Sequence, residues 1–214
     1  MWEVGSYRTR QVPEQNGEKL HDVYVHCNGT LAATLDLEDK LKEGAAEVIQ
    51  KLNAQGIKTV MLSGDREAKC KKVAQQLGLK EWQAEMLPEQ KLESITQYSK
   101  QGLTAMVGDG INDAPALARA HVGISFSSAT QVSVSAAQVV LLSGQHLPKL
   151  WEAWQASRAT LTTIKQNLFW AFFYNVIAIP VAAVGLLNPM IAALSMAFSD
   201  VMVIGNSLRL RVKK

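Results

Sequence analysis

The sequence predicts an α/β fold, a parallel sheet with helices on both faces, followed by a C-terminal hairpin of two membrane-crossing helices. Three observations predict it. Short apolar runs alternate with helix-period segments from Glu43 to Leu142, the pattern of a parallel sheet covered by helices. Two of these runs end in glycine and acid, Ser63-Gly64-Asp65 and Gly108-Asp109-Gly110. Open α/β sheets bind ligands at such strand ends. Leu168 to Leu187 then runs about twenty residues without a charge, enough to cross ~30 Å of hydrocarbon as a helix.

The elements follow in order. Residues 1 to about 35 read as irregular, with one apolar alternation at Val23-Tyr24-Val25, a turn at Asn28-Gly29 and a returning strand from Leu31 to Leu37. Helix periodicity starts at Glu43. Ala46, Ile49 and Leu52 share a face, and Gly56 stops the helix. Ile57 to Leu62 reads as a buried strand. Ala68 to Leu77 is a second helix stopped by Gly78, and Pro88 opens a third that runs to about Ser99. Leu103 to Val107 is a strand, Ala114 to Ala120 a short helix, and Val122 to Ser125 and Val139 to Leu142 are short strands. After the first uncharged span, Asn188-Pro189 makes a turn, and Met190 to Gly205 is a second apolar stretch broken by Asp200. Lys165 before the first span and Arg209, Arg211, Lys213 and Lys214 after the second put both ends on the cytoplasmic side. The competing expectation is a helical hairpin buried in a soluble protein. The α/β portion already supplies a core, which leaves such a hairpin nothing to pack into. The expected divisions are residues 1–35, a hairpin remnant; 36–150, the α/β domain; and 151–214, a linker helix and two membrane helices.

Composition narrows the function. A formal charge of +3 is too small to argue for nucleic acid. Cys27 and Cys70 are far apart and form no metal-binding pair, so reduced thiols are expected. Glu3, Arg8 and Arg10 are incompatible with the apolar core of a signal peptide.

The chemistry concentrates at three places. Gly108-Asp109-Gly110-Ile111-Asn112-Asp113-Ala114-Pro115 sets two carboxylates four residues apart around a glycine turn. Hard oxygen ligands with room for phosphate oxygens suit Mg²⁺, and glycine lets the backbone approach a phosphate closely. Ser63-Gly64-Asp65 offers a hydroxyl to a phosphoryl oxygen, although Ser63 or Asp65 would serve equally as a helix N-cap. Lys91, at the first turn of a helix, can hold the charge of a transferring phosphoryl group.

In this order the three resemble the haloacid dehalogenase-like (Rossmann-like) phosphorylation domain of P-type ATPases. The likeness extends from about Tyr24 to Leu210 and points to the heavy-metal (type IB) branch, especially its copper transporters. Ser63-Gly64-Asp65 matches the family's Thr-Gly-Asp element with serine for threonine. Lys91 matches its proline-flanked lysine, and Gly108 to Pro115 its Mg²⁺ signature. Asn167-Leu168-Phe169-Trp170, Tyr174-Asn175 and Asn206-Ser207-Leu208-Arg209-Leu210 resemble its last two membrane helices. The resemblance implies a catalytic set of Ser63, Gly64, Asp65, Lys91, Asn112 and Asp113, with Gly108, Asp109 and Gly110 around the bound phosphate and metal. It implies Mg²⁺ on Asp109, supported by Asp113. In the parent enzyme it implies ATP, with Cu⁺ as the transported ion held by Tyr174, Asn175, Met196 and Ser199. Where copper transporters carry a second serine, this chain has Asp200, and a carboxylate favours harder ions.

The family's Asp-Lys-Thr-Gly-Thr element is not in this sequence. His26-Cys27-Asn28-Gly29-Thr30 has histidine in the nucleophile's place and reads as a hairpin turn. Asp36 and Asp39 are the other candidates, and Asp39 fits a strand-exit acid before the first helix. The chain therefore looks like the C-terminal third of a transporter, inactive alone because a covalent aspartyl-phosphate needs its aspartate. Expected partners are membrane lipid and the missing N-terminal part or a full-length pump, with no nucleic acid. Two rival readings are a non-catalytic membrane protein that keeps the fold to bind a partner, and a membrane-anchored phosphatase.

Overall fold

A computed structural model describes residues 1–6, 21–37, 40–142, 147–185 and 188–212. The chain divides into two compact units, Met1–Leu41 and Lys42–Lys214.

The first unit is an antiparallel sheet of β1 (Trp2–Ser6), β2 (Val23–Cys27) and β3 (Thr30–Leu35), in that order. Asn28 and Gly29 both take positive φ, 49° and 81°, the twist a two-residue hairpin turn needs. His26-Cys27-Asn28-Gly29-Thr30 is thus a hairpin, as its sequence suggests. The register slips between Val25 and His26, which places a bulge there. β1 is a strand where the sequence reads as irregular: Glu3 and Gly5 interrupt its apolar pattern, and pairing with β2 supplies the order.

The second unit opens with α1 (Ala45–Ala54), preceded by Gly44 at φ 74°. Its buried face is Ala45, Val48 and Leu52, one residue off the predicted Ala46 and Ile49. β4 (Val60–Leu62) leads to α2 (Glu67–Leu77), closed by Gly78 in the left-handed region. β5 (Glu81–Gln83) pairs parallel with β4. α3 (Pro88–Gln101) has Pro88 at its first position, and the Gln90 side chain caps the Leu87 N–H at 2.7 Å. β6 (Ala105–Val107), α4 (Ala114–Arg119), β7 (Val122–Phe126), α5 (Gln131–Ala136) and β8 (Val139–Leu141) follow. β6, β7 and β8 form a parallel sheet in that order.

The parallel α/β architecture stands, with two corrections. The strands are shorter than the apolar runs: Ile57 to Thr59 and Leu103-Thr104 lie outside the ladders, and Leu103 is almost fully exposed. The ladder is also in two pieces. Among the described residues β4 pairs only with β5, and β6 only with β7. Both pieces face one core, because Leu62 of β4 packs on the cluster of Ile95, Met106, Ala116, Leu117 and Ala120. Leu117 and Phe126 are 0% and 2% exposed. Burying each such side chain is worth about 1.5–3 kcal/mol.

α6 (Pro148–Ala183) runs unbroken for 36 residues. The linker and the first predicted span are therefore one helix, and it ends at Ala183, short of Leu187. Its first turn sits on α1: a Cβ on Gly44 would meet Pro148 Cγ at 2.8 Å, and Lys51 Nζ lies 5.8 Å from the Trp151 ring centre. α7 (Pro189–Val212) returns, its Met190 N–H capped by Asn188 Oδ1 at 2.9 Å. An amide ladder joins the two helices. Asn206 Nδ2 donates to Asn167 Oδ1 at 2.8 Å and Gln166 Oε1 at 3.2 Å, and Asn167 Nδ2 to Ser207 Oγ at 3.0 Å. Among the described residues α6 is the helix long and apolar enough to cross a membrane by length and composition.

Candidate active site

The site forms at the C-terminal ends of β4 and β6. After β6, Gly108 and Gly110 flank Asp109, and a 3₁₀ turn (Ile111–Asp113) leads into α4. Gly108 is needed where it stands, whereas a Cβ at Gly110 would make only ordinary contact. A Cβ on Gly108 would lie 3.0 Å from Asp113 Cβ and 3.2 Å from its Oδ2, and one on Gly110 3.4 Å from that oxygen. The Asp113 carboxylate thus folds back into the cradle that the two glycines leave.

Two ammonium groups meet the two carboxylates. Lys91 Nζ, from the first turn of α3, contacts Asp113 Oδ1 at 2.8 Å, with both side chains about 15% exposed. Lys42 Nζ, just before α1, contacts Asp109 Oδ2 at 3.1 Å in a more open setting and lies 5.3 Å from the Phe126 ring centre. A pair as exposed as Lys42–Asp109 is worth about 0.2–1 kcal/mol. Removing one partner of the drier Lys91–Asp113 pair strands a charge, which costs more.

Ser63 leaves β4 with its N–H on Gln83 O at 2.9 Å. Its Oγ donates to Asp65 Oδ2 at 2.7 Å and accepts from the Asp65 N–H at 3.2 Å. Ser63 and Asp65 therefore stabilise their own turn, but neither caps α2, whose N-cap is Arg66 with no side-chain cap. The exposed Asn112 stands on the same turn as Asp109. The structure brings together Asp109, Asp113 and Lys91, and separately Ser63 and Asp65. Asp36 lies in the first unit, its Oδ1 2.9 Å from His21 Nδ1, and Asp39 lies outside the described residues.

Sequence reasoning missed two contributors. Lys42 carried no signal beyond standing just before a helix start, where most lysines are solvated. Ser133, fully buried on α5, donates its Oγ to Gly110 O and so fixes the glycine turn. Thr130, three residues before it, caps α5, and that Thr-x-x-Ser spacing is a readable helix start.

Asp109 and Asp113 fit Mg²⁺. The ion is content with one or two carboxylates when water and phosphate oxygens complete its shell, and the glycine turn brings the Asp113 carboxylate beside Gly108 and Gly110, next to Asp109. Among the described residues no cluster of three or more His, Cys, Asp or Glu could hold a metal. Along α6 and α7, Met196 is 64% exposed and Asn175 donates to Ala171 O at 2.9 Å. Asp200 is exposed, while Tyr174 and Ser199 are half-buried.

Fold and site define a phosphate-handling α/β domain joined to an apolar helix pair. The chain belongs to the haloacid dehalogenase-like hydrolase family, whose model matches residues 5–121. It is 45% identical over 199 residues to cation-transporting P-type ATPase B of Mycobacterium tuberculosis, covering 92% of this chain and 26% of that protein. It is 47% identical over 193 residues to the copper-exporting P-type ATPase of Staphylococcus haemolyticus, covering 89% and 24%. The crystal structure of a zinc-transporting PIB-type ATPase in an E2.Pi state matches with TM-score 0.77 and 37% identity, over 88% of this chain and 31% of that one. The chain spans about a quarter of the length of these curated relatives, less than the third that its motifs imply.

Proposed function

We propose that this chain is the C-terminal portion of an ATP-driven heavy-metal transporter, with copper as the ion, and that it is inactive alone. The observation that carries this reading is the glycine turn with Asp109 and Asp113 each met by a lysine. That turn belongs to a unit which continues through α6 into an apolar helix pair.

Each residue has a task. Asp109 and Asp113 would hold Mg²⁺, which supplies positive charge to phosphoryl oxygens when bound. The Lys91 ammonium leaves Asp113 for an entering phosphoryl group and neutralises charge there. Ser63 Oγ donates to a phosphoryl oxygen once it releases Asp65. Gly64, Gly108 and Gly110 keep the backbone low enough for that approach, Asn112 offers its amide at the rim, and Lys42 screens Asp109 until a cation arrives. What this set lacks is a nucleophilic aspartate. The edges of β4 and β6 that carry no ladder among the described residues favour a further parallel strand from the remainder of the transporter, with its aspartate emerging between Ser63 and Asp109. That remainder and membrane lipid are the partners this reading requires. Both chain ends lie in the cytoplasm. Tyr174, Asn175, Met196, Ser199 and Asp200 line the ion's route in the assembled transporter, with Asp200 drawing its preference toward harder cations.

The test is phosphorylation of the purified full chain by radiolabelled ATP with Mg²⁺. No acid-stable label is expected. A label that survives acid and is lost to hydroxylamine would overturn the inactive-alone reading, and Asp36→Asn and Asp39→Asn would locate it. Calorimetric Mg²⁺ titration should show weak heats that vanish in Asp109→Asn, and equal heats for both proteins would remove the metal assignment.

A further inference from the structure

The mouth of the helix pair holds a cavity of about 350 Å³ that the phosphate chemistry does not use. Arg158, Thr163 and Gln166 of α6 and Asn206 and Arg209 of α7 line it, with Leu210 as apolar wall. No acid lines it. The Arg158 guanidinium stacks 5.4 Å from the Trp154 ring centre, which orients it without neutralising it. Arg209 makes no ion pair among the described residues. Asn206 gives its N–H groups to Gln166 and Asn167, so Gln166 accepts with Oε1 and keeps its own NH₂ group for donation. Thr163 is buried at the helix contact. The result is a concave, donor-rich, cationic recess closed on two sides by helices.

Its level along the helices identifies the ligand. Gln166 is the cavity's deepest polar residue on α6, and the uncharged run begins two residues later at Leu168. Trp170 lies one turn further, the place of an interfacial aromatic. On α7 the amide of Asn206 meets Gln166 and Asn167, which puts Arg209 level with the first turns outside the apolar run. In a bilayer this is headgroup depth. Basic pockets between membrane helices on the cytoplasmic side take anionic headgroups, and guanidinium forks match phosphate oxygens in pairs.

We infer that the cavity between Arg158 and Arg209 is a binding site for the phosphate headgroup of an anionic phospholipid, in the leaflet facing the α/β unit. This rests on the membrane reading proposed above. Arg158 and Arg209 grip the phosphate from opposite helices, Gln166 donates to a further oxygen, and Leu210 meets the start of an acyl chain. A lipid held there bridges α6 and α7 at the open end of the hairpin, where the amide ladder stops.

The full chain, purified in a neutral detergent, is mixed with equal amounts of phosphatidylglycerol and phosphatidylcholine, and retained lipid is counted by native mass spectrometry. Each arginine near a charged headgroup should contribute about fivefold, so phosphatidylglycerol should be retained in clear excess. Arg158→Gln/Arg209→Gln should bring the ratio close to one. Arg209→Lys, which keeps the charge and loses the fork, should fall between, and this milder variant decides the matter if the double variant loses helicity by circular dichroism. Lys165→Gln removes a neighbouring charge outside the cavity and should leave the excess in place. Equal retention of both lipids by the parent chain overturns the site. So does a loss with Lys165→Gln as large as with the double variant, which would mark diffuse surface charge. Complete displacement by inorganic phosphate overturns it in favour of a free-anion site. A chain that stays in solution without detergent and retains no lipid refutes the membrane reading itself, whereas one that needs detergent and retains both lipids equally refutes only the headgroup site.

Discussion

The α/β body and the helix pair are built from similar apolar residues used in opposite ways. In the body Leu117 and Phe126 are 0% and 2% exposed, and the exposed apolar side chains, such as Leu103 or Ile111, stand singly. Along α6, Phe169, Phe172, Val176 and Ile179 are all more than half exposed, as are Met196, Phe198 and Val201 along α7. Single exposed apolar residues are ordinary on a protein in water, whereas a continuous surface of them marks a contact surface. The polar groups invert likewise. The body places the ion pairs Lys42–Asp109 and Lys91–Asp113 at its strand ends, while the helix pair is joined by amides and a hydroxyl. The body's pattern suits water, whereas α6 is long and apolar enough by length and composition to suit hydrocarbon.

The contrast can be broken at each end. Leu117→Ala empties the centre of the body and should cost about 2–5 kcal/mol, read as an earlier urea transition by tryptophan fluorescence. A shift under half a kcal/mol would mean the body is not a close-packed core. Ile177→Arg places a charge at the middle of the apolar run, costing about 2.5–3.5 kcal/mol in hydrocarbon. The chain should then shift out of the alkali-resistant membrane fraction, and an unchanged distribution would equate the two surfaces. Asp113→Asn should cost about 1–3 kcal/mol by stranding the Lys91 ammonium, while Lys42→Met at the more exposed pair should cost under about 1 kcal/mol. Denaturant titration of both variants in Mg²⁺-free buffer ranks the pairs, and the reverse order would contradict the burial argument. Asn206→Ala, in the amide ladder, should cost only about 0.6 kcal/mol. It is measured by helix-pair association in detergent, where a several-fold larger effect would make the ladder the principal bond between the helices.

What was legible in the sequence follows from how locally each feature is encoded. The glycine turn from Gly108 to Pro115 is specified by its own residues, so its place and its acids were readable. So was Lys91, because Pro88 fixes the helix start. α1 was misaligned by one position because Gly44, in the left-handed region, sets where its turns begin, and Gly44 itself answers to Pro148 far along the chain. β5 escaped because Glu81-Trp82-Gln83 is flanked by charge and held only by its pairing with β4. α5 escaped because the Val-Ser alternation from Gln131 to Ala136 mimics a strand, and the Thr130 cap overrides it. Lys42 meets Asp109 across 67 residues of sequence, a distance that no periodicity bridges.

α6 has a mechanical consequence. It is a rod of 36 residues, about 54 Å long, seated at its base by Pro148 against Gly44 and by Trp151 under Lys51. Trp151 and Trp154 stack on each other at 4.8 Å in that seat. No break separates base from shaft, and Pro180, the helix's interior proline, sits within its last turn, where a missing hydrogen bond costs little stiffness. A swing of ten degrees at the seat therefore carries the far tip through roughly 9 Å, a displacement scaled from that helical length. The shaft acts as the long arm of a lever, turning a small rotation at the Gly44–Pro148 seat into ångström-scale travel at its far tip.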